Sequence, residues 1–263
     1  MSEIPYPLDP MGSTNRGPYF ELVVKPGILG DSLTYGFTPY WNAGGYCKVV
    51  DWGDGSNEDA TASGTTLKHT YAAAGTYTIS IKADCYKVDF GVWPNQILVY
   101  DSNGNWDALG NITTGDSMFQ GCTNATLPLT SLPDGLTSGS NMFNGCTNAT
   151  LPLTSLPSGL TNGSYMFQGC RNATLQLTSL PAGLTGLASA FRYVLLAEIN
   201  LDDLTANAPE GGWTEVTRIE TMFYNAGSGN SPGTVTGSRS AFLAKFPNVT
   251  NTTNAFYGTN TTE

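Results

Sequence analysis

The sequence Met-Phe-X-Gly-Cys occurs at residues 118–122, 142–146 and 166–170, which places Phe119, Phe143 and Phe167 at a strict spacing of 24 residues. Phe191 keeps the same step. Phe223 then follows after 32 residues and Phe256 after a further 33. Between the phenylalanines the filling is nearly constant: Asn124 to Leu132 and Asn148 to Leu156 both read NATLPLTSL, and Asn172 to Leu180 reads NATLQLTSL. A unit this short cannot bury an apolar face by itself, so copies must pile up and each must cover the next. Like side chains then meet in ladders. The expected ladders are Phe119, Phe143, Phe167, Phe191 and Phe223; Cys122, Cys146 and Cys170; and Leu127, Leu151 and Leu175.

Inside one copy, Leu127 and Leu129 alternate with Thr126, Pro128 and Thr130. This period of two predicts a short strand, paired in parallel about 4.8 Å from its neighbour. Pro128 and Pro152 cannot donate to such a ladder, which limits each strand to about three residues. Ser140 is placed to cap a short helical turn at Met142-Phe143. Gly121, Gly145 and Gly169 are placed to end such turns in the left-handed region.

Composition narrows the partners. Charged residues make up 12% of the chain, and the formal charge is −10 with 11 basic residues and no basic run. Nucleic-acid binding needs clustered Lys and Arg, so that partner is excluded. No apolar run approaches the roughly 20 residues of a membrane span. Met1-Ser2-Glu3-Ile4-Pro5-Tyr6 has neither a basic n-region nor an apolar h-region, so no signal peptide is visible. The expected location is extracellular or cell-surface, or a virion.

Residues 18–100 read as β-structure. Val49-Val50-Asp51 runs into the Asp-Gly turn of WGDGS at residues 52–56, a hairpin signal. Phe20 to Val24, Gly75 to Ile81 and Gln96 to Tyr100 also read as strands, a spacing that suits a sandwich. WGDGS followed by HTYAAAGTYTISI at residues 69–81 resembles the PKD domain, an immunoglobulin-like sandwich of surface proteins. The resemblance implies a spacer or presenting module, with Trp52 in the core and Asp54 bonded to turn amides. The Met-Phe repeats resemble the leucine-rich repeats of BspA-like and mycoplasma-lipoprotein surface proteins, at Met118-Phe119, Met142-Phe143, Met166-Phe167 and Met222-Phe223. That resemblance implies a curved solenoid used in adhesion or recognition. It loosens after residue 190, where spacing lengthens.

Candidate chemistry is sparse. His69 is the single histidine, and its place in the PKD-like signature favours a structural role over a Ser-His-Asp site. One His and five dispersed Cys do not supply a zinc site. Asp51, Asp54 and Asp59 have the oxygens for calcium but no EF-hand spacing, so turn hydrogen bonding is the expected use. Cys47 and Cys85 lie near separate strands, where pairing and free thiols are both open. Asn124, Asn148 and Asn172 begin sequons, but their recurrence marks them as turn residues able to form a ladder. Glycoside hydrolysis needs two converging carboxylates, and Thr137 to Leu196 contains no acid.

The expected architecture is mostly β. An N-terminal arm (1–17) precedes an immunoglobulin-like, PKD-like β-sandwich (18–100). A linker or first cap (101–117) leads to a leucine-rich-repeat-like solenoid (118–263) of short strands and short helical turns, with period 24 and irregular after 190. The expected function is non-enzymatic adhesion without metal or cofactor. Thr126, Pro128, Thr150, Pro152, Thr174 and Gln176 would face a carbohydrate or a host protein on a cell surface. The alternative is a structural phage component (head decoration, fibre or tail protein), anchored to neighbouring capsid or tail subunits by its N-terminal module.

Overall fold

The computed structural model describes residues 19–28, 32–91, 97–100, 106–227, 234–259, 261 and 263. The expected arm, residues 1–17, lies outside them. The protein is mostly β, with antiparallel sheets in the first hundred residues and few helices.

Among the described residues of that first part there are eight strands: β1 (Phe20–Val24), β2 (Thr34–Tyr40), β3 (Cys47–Asp51), β4 (Glu58–Asp59), β5 (Leu67–Thr70), β6 (Tyr77–Ala83), β7 (Lys87–Asp89) and β8 (Ile97–Tyr100). They form one sheet of order β4-β3-β6-β1-β8 and a second of order β5-β2-β7. Alternation sets the faces: in β1, Phe20, Leu22 and Val24 are buried, while Glu21 and Val23 are only half-buried. Rings from both sheets meet between them, with Phe37 6.0 Å from Trp52 and 5.5 Å from Phe90. The hairpin expected after Asp51 is present, since β3 pairs with β4 through Lys48 opposite Asp59.

The repeats lie directly on one another. Phe119, Phe143, Phe167, Phe191 and Phe223 stack at centroid distances of 5.3–5.8 Å with interplanar angles of 6–14°. Phe256 extends the column at 5.7 Å. At the other end Phe90 stacks on Phe119 at 5.4 Å, and Phe20 on Phe90 at 5.3 Å. One column of rings therefore runs from the sheets to the last coil, and a single buried cluster joins them. The 32- and 33-residue spacings do not break it. The longer coils carry β9 (Glu198–Asn200), α1 (Leu201–Leu204), β10 (Thr234–Thr236) and α2 (Arg239–Leu243), which bury Ile199, Leu201, Leu204, Val235 and Phe242. Strands β9 and β10 pair in parallel.

Of the expected linker, residues 106–117 are described, and they contribute to the core as well. A 3-10 turn at Trp106–Leu109 buries Trp106 and Leu109. The Trp106 indole N–H donates to the Ser131 carbonyl at 3.2 Å.

Two local expectations fail in the regular coils. Leu127 to Leu129 is not a strand. The Leu129 N–H turns back to the Leu127 carbonyl at 2.8 Å, with Pro128 at the centre of the turn. Leu127 and Leu151, each before a proline, have φ of 39° and 37°. Proline removes the donor a ladder would use, and the chain curls instead. In the copy where Gln176 replaces proline, the Gln176 N–H reaches the Leu153 carbonyl of the preceding coil at 3.0 Å. Nor does Ser140 cap a helix: its N–H donates to Asp116 Oδ1 at 3.0 Å. Each coil carries left-handed residues two before and two after its phenylalanine, for example Asn141 (φ 56°) and Gly145 (φ 80°), which no helix accommodates.

These left-handed residues create an unusual junction. N–H groups at alternate residues donate to the next coil: Gly139, Asn141, Phe143 and Gly145 to the carbonyls of Asn162, Ser164, Met166 and Gln168, at 2.8–3.1 Å. The carbonyls of those four donor residues are occupied within their own coil, by the N–H groups of Met142, Asn144, Cys146 and Thr147. Over this segment the edge facing the next coil is thus donor-only and the edge it meets is acceptor-only, whereas at the threonine rows the direction reverses, with the Thr150 N–H donating to the Thr126 carbonyl and the Thr161 N–H to the Thr137 carbonyl. A β-ladder, by contrast, mixes donors and acceptors along each edge. The same pattern recurs from Gly115 to Gly121, from Gly163 to Gly169 and from Ile219 to Asn225.

Candidate functional site

The row expected to bind lies on the surface. Thr126, Thr150, Pro152, Thr174 and Gln176 are exposed and Pro128 is half-buried. Coil stacking brings them side by side. The Thr150 hydroxyl donates to the Thr126 carbonyl, and the Thr174 hydroxyl to the Thr150 carbonyl, both at 3.2 Å. These hydroxyls are fixed in orientation and keep only acceptor capacity toward solvent. At the end of the row, Gln176 Nε2 donates to Glu198 Oε2 at 3.1 Å.

A second threonine row, not singled out from the sequence, runs through Thr113, Thr137, Thr161 and Thr185. Its hydroxyls donate to the preceding carbonyl at 2.9–3.2 Å. The 24-residue spacing of these threonines was the available signal. Asn172 Nδ2 donates to Asn148 Oδ1 at 3.3 Å, one rung of an asparagine ladder.

The cysteine column is internal. Cys146 Sγ donates to the Phe119 carbonyl at 2.9 Å and Cys170 Sγ to the Phe143 carbonyl at 3.0 Å. All five cysteines are free and buried. Their hydrogen bonding to neighbouring thiols and their burial push the thiols of Cys47 and Cys122 up, and burial does the same for Cys170. The open question at Cys47 and Cys85 resolves as two adjacent thiols without a disulfide.

Around the WGDGS turn, each carboxylate is engaged separately. Asp51 Oδ1 accepts from the N–H groups of Gly53 at 2.6 Å and Gly55 at 3.1 Å. Asp54 accepts from the Ser56 N–H at 3.0 Å and hydroxyl at 2.5 Å, and meets His69 Nε2 at 2.7 Å. Asp59 pairs with Lys48 at 3.5 Å. The Ser56 hydroxyl and the His69 partnership hold the Asp54 carboxyl down at about 2. The carboxylate sits between serine and imidazole. In a nucleophilic triad the imidazole takes that middle place, so Ser56 has no base here. His69 stacks on Trp52 at 5.2 Å and meets Tyr71 edge-on at 4.6 Å. Trp52 is buried, and its carbonyl accepts from the Tyr71 hydroxyl at 2.9 Å. Among the described residues no three His, Cys, Asp or Glu side chains converge as a metal site, and no helix is long and apolar enough to cross a membrane.

An aromatic and cationic patch borders the later coils. The Arg192 guanidinium lies 5.0 Å from the Tyr193 ring and 5.2 Å from that of Tyr224, and Tyr224 stacks on Tyr257 at 4.9 Å. Arg192, Tyr224 and Tyr257 each follow a column phenylalanine, and that shared position was the sequence signal for them.

No known protein family matches the chain, and no curated protein or solved structure matches it either.

Proposed function

We propose that the protein is a non-catalytic binding module of an outer surface. In this reading an immunoglobulin-like, PKD-type sandwich presents a leucine-rich-repeat-type solenoid to carbohydrate or host protein. The observation that carries it is the exposed row Thr126, Thr150 and Thr174, in which the Thr150 and Thr174 hydroxyls are locked to the preceding coil. A repeating, pre-oriented row loses little conformational entropy when a partner docks. Pro152 beside it is exposed and offers a flat apolar contact. No acid lies between Thr137 and Leu196, so the row carries a carboxylate only at its end, where Glu198 bonds Gln176, and its middle suits an uncharged partner. Sandwich and coils share one column of rings, which holds the row at a fixed distance from the N-terminal part.

The test is a glycan and host-protein array probed with the full chain, alongside a variant carrying Thr126→Lys, Thr150→Lys and Thr174→Lys. The wild-type chain is expected to bind a defined subset, and the triple variant to lose it while keeping its circular dichroism spectrum. Binding that survives unchanged in the folded triple variant overturns the assignment of the face.

A further inference from the structure

Three departures from the repeat fall at one place. The position one after the column phenylalanine holds Gln120, Asn144 and Gln168 in the regular coils, and then Arg192. The position four after it holds Thr123 and Thr147, and then Arg171. The position two after it holds Gly121, Gly145 and Gly169, with φ of 75–80°, and then Tyr193, which keeps the left-handed backbone at φ 59°. Glycine takes that conformation freely, whereas a residue with a β-carbon takes it under strain. Strain of this kind persists where the side chain it delivers has a use.

The Tyr193 ring holds cations. The Arg171 guanidinium lies 5.6 Å from it and the Arg192 guanidinium 5.0 Å. Arg192 also lies 5.2 Å from the Tyr224 ring, which meets Tyr193 edge-on at 5.4 Å. Neither guanidinium has a carboxylate or other hydrogen-bond acceptor among the described residues, and Arg192 Nε is buried without one. Arg218, by comparison, pairs with Glu220 at 2.5 Å. The formal charge of the chain is −10, but its acids are kept away from residues 137–196. Two cations are therefore assembled on one ring and left unneutralised.

A ring holds a guanidinium by its flat face and leaves the N–H groups at its edge for an anion in the same plane. Two parallel N–H groups match the two oxygens of a carboxylate. A dense polyanion does not suit the site, because the acidic chain repels it and two guanidiniums neutralise little of it. The columns that lead to the arginines define the rest of the partner. Gln120, Asn144 and Gln168 lead to Arg192, and Thr147 leads to Arg171, amides and a hydroxyl at one-coil spacing. Such groups pair with hydroxyls instead of seating apolar side chains. The tyrosines add apolar faces with polar tips, the mixed character of a sugar ring.

We infer that Arg171, Arg192, Tyr193 and Tyr224 form a binding site for a carboxylate-bearing saccharide. The carboxylate lies on the guanidiniums, and neighbouring sugar units lie along the amide column. The site does not depend on the threonine row, which contains no cation, and the two assignments can fail separately.

The experiment is calorimetric titration of the full chain with sialyllactose, a hyaluronan hexasaccharide and trigalacturonate. Each is compared with a neutral counterpart: lactose, an N-acetylglucosamine hexamer and methyl-esterified trigalacturonate. At least one acidic probe is expected to bind about tenfold or more tighter than its counterpart, and to shift the NMR signals of Arg171, Arg192 and Tyr193. Arg171→Gln, at an exposed position, should weaken that binding about tenfold and keep the melting temperature. Arg192→Lys keeps the charge but loses the planar fork and should weaken it about fivefold. Tyr193→Gly restores the glycine of the regular coils and should also weaken it about fivefold, with the circular dichroism spectrum kept. Lys245→Gln, which removes an exposed cation elsewhere, should leave binding unchanged, and the triple threonine variant should retain it. The inference is overturned if no acidic probe binds at up to about 1 mM, or if the neutral counterparts bind equally well. Unchanged binding in folded Arg171→Gln, or loss of binding in the triple threonine variant, also overturns it. A poly-glutamate peptide that binds at least as tightly as the best acidic saccharide transfers the site to acidic peptides and overturns the saccharide.

Discussion

Replacing rings of the column by leucine tests whether stacking between coils, rather than burial alone, holds the repeats in register. Phe143 and Phe167 are 0% and 1% exposed, and each contacts a ring above and below. Phe→Leu keeps most of the volume, at about 1–1.5 kcal/mol for the swap itself. Each lost ring–ring contact adds about 0.5–1.5 kcal/mol. Singly, Phe143→Leu and Phe167→Leu each remove two such contacts, but the contact between them is shared. The double variant therefore loses three contacts where the sum of singles counts four. Its destabilisation should fall short of additivity by one contact, about 0.5–1.5 kcal/mol. Phe119→Leu with Phe191→Leu removes four distinct contacts and should be additive within about 0.3–0.5 kcal/mol. Urea unfolding followed by tryptophan fluorescence and far-ultraviolet circular dichroism measures all six variants, provided the m-values agree. Equal coupling in the two cycles, or none in the adjacent pair, would refute the reasoning.

Tyr165 holds φ at 59° and is partly exposed, so Tyr165→Gly should stabilise by about 0.5–1 kcal/mol in the same assay; a loss of stability contradicts the strain. Asp54 titrates at about 2 instead of 3.8, lowered first by the Ser56 hydroxyl. A depressed folded value means its contribution is complete above about pH 4 and is lost as pH falls toward 2. The gap in melting temperature between wild type and Asp54→Asn should therefore be constant from about pH 5 to 7 and shrink below pH 4; a gap independent of pH down to 2 removes Asp54 from the account. Buried, proton-holding thiols predict negligible labelling by iodoacetamide at pH 7.5 and five labels after denaturation, read by mass spectrometry. Rapid native labelling would contradict the burial.

The phenylalanine, cysteine and glycine positions of the repeat were legible because each side chain meets its own copy one coil away, and identity at fixed spacing is a sequence property. Leu127 to Leu129 misled because alternation is ambiguous over so few residues, and Pro128 turns the same pattern into a curl. The donor and acceptor edges were hidden for a different reason. They depend on left-handed backbone two residues before each phenylalanine, where the chain places Ser117, Asn141, Tyr165, Ser189, Thr221 and Asn254. Only asparagine among these favours that conformation, so no residue type announced it. The threonine row was legible as a row. Which way its hydroxyls point was not, because that is decided by the carbonyl of a coil 24 residues away. Trp52 and His69 were readable as structural from their motif, whereas the placement of Asp54 between Ser56 and His69 required coordinates.

Because each interior coil repeats the same hydrogen-bonding groups at 24-residue spacing, inserting or deleting a whole 24-residue unit changes neither terminus of the pile. The number of coils is therefore a free parameter of this architecture, adjustable by duplication without any compensating substitution. Its direction is not: along the stretch that carries the phenylalanine, a unit inserted upside down would set hydrogens against hydrogens on one side and oxygens against oxygens on the other.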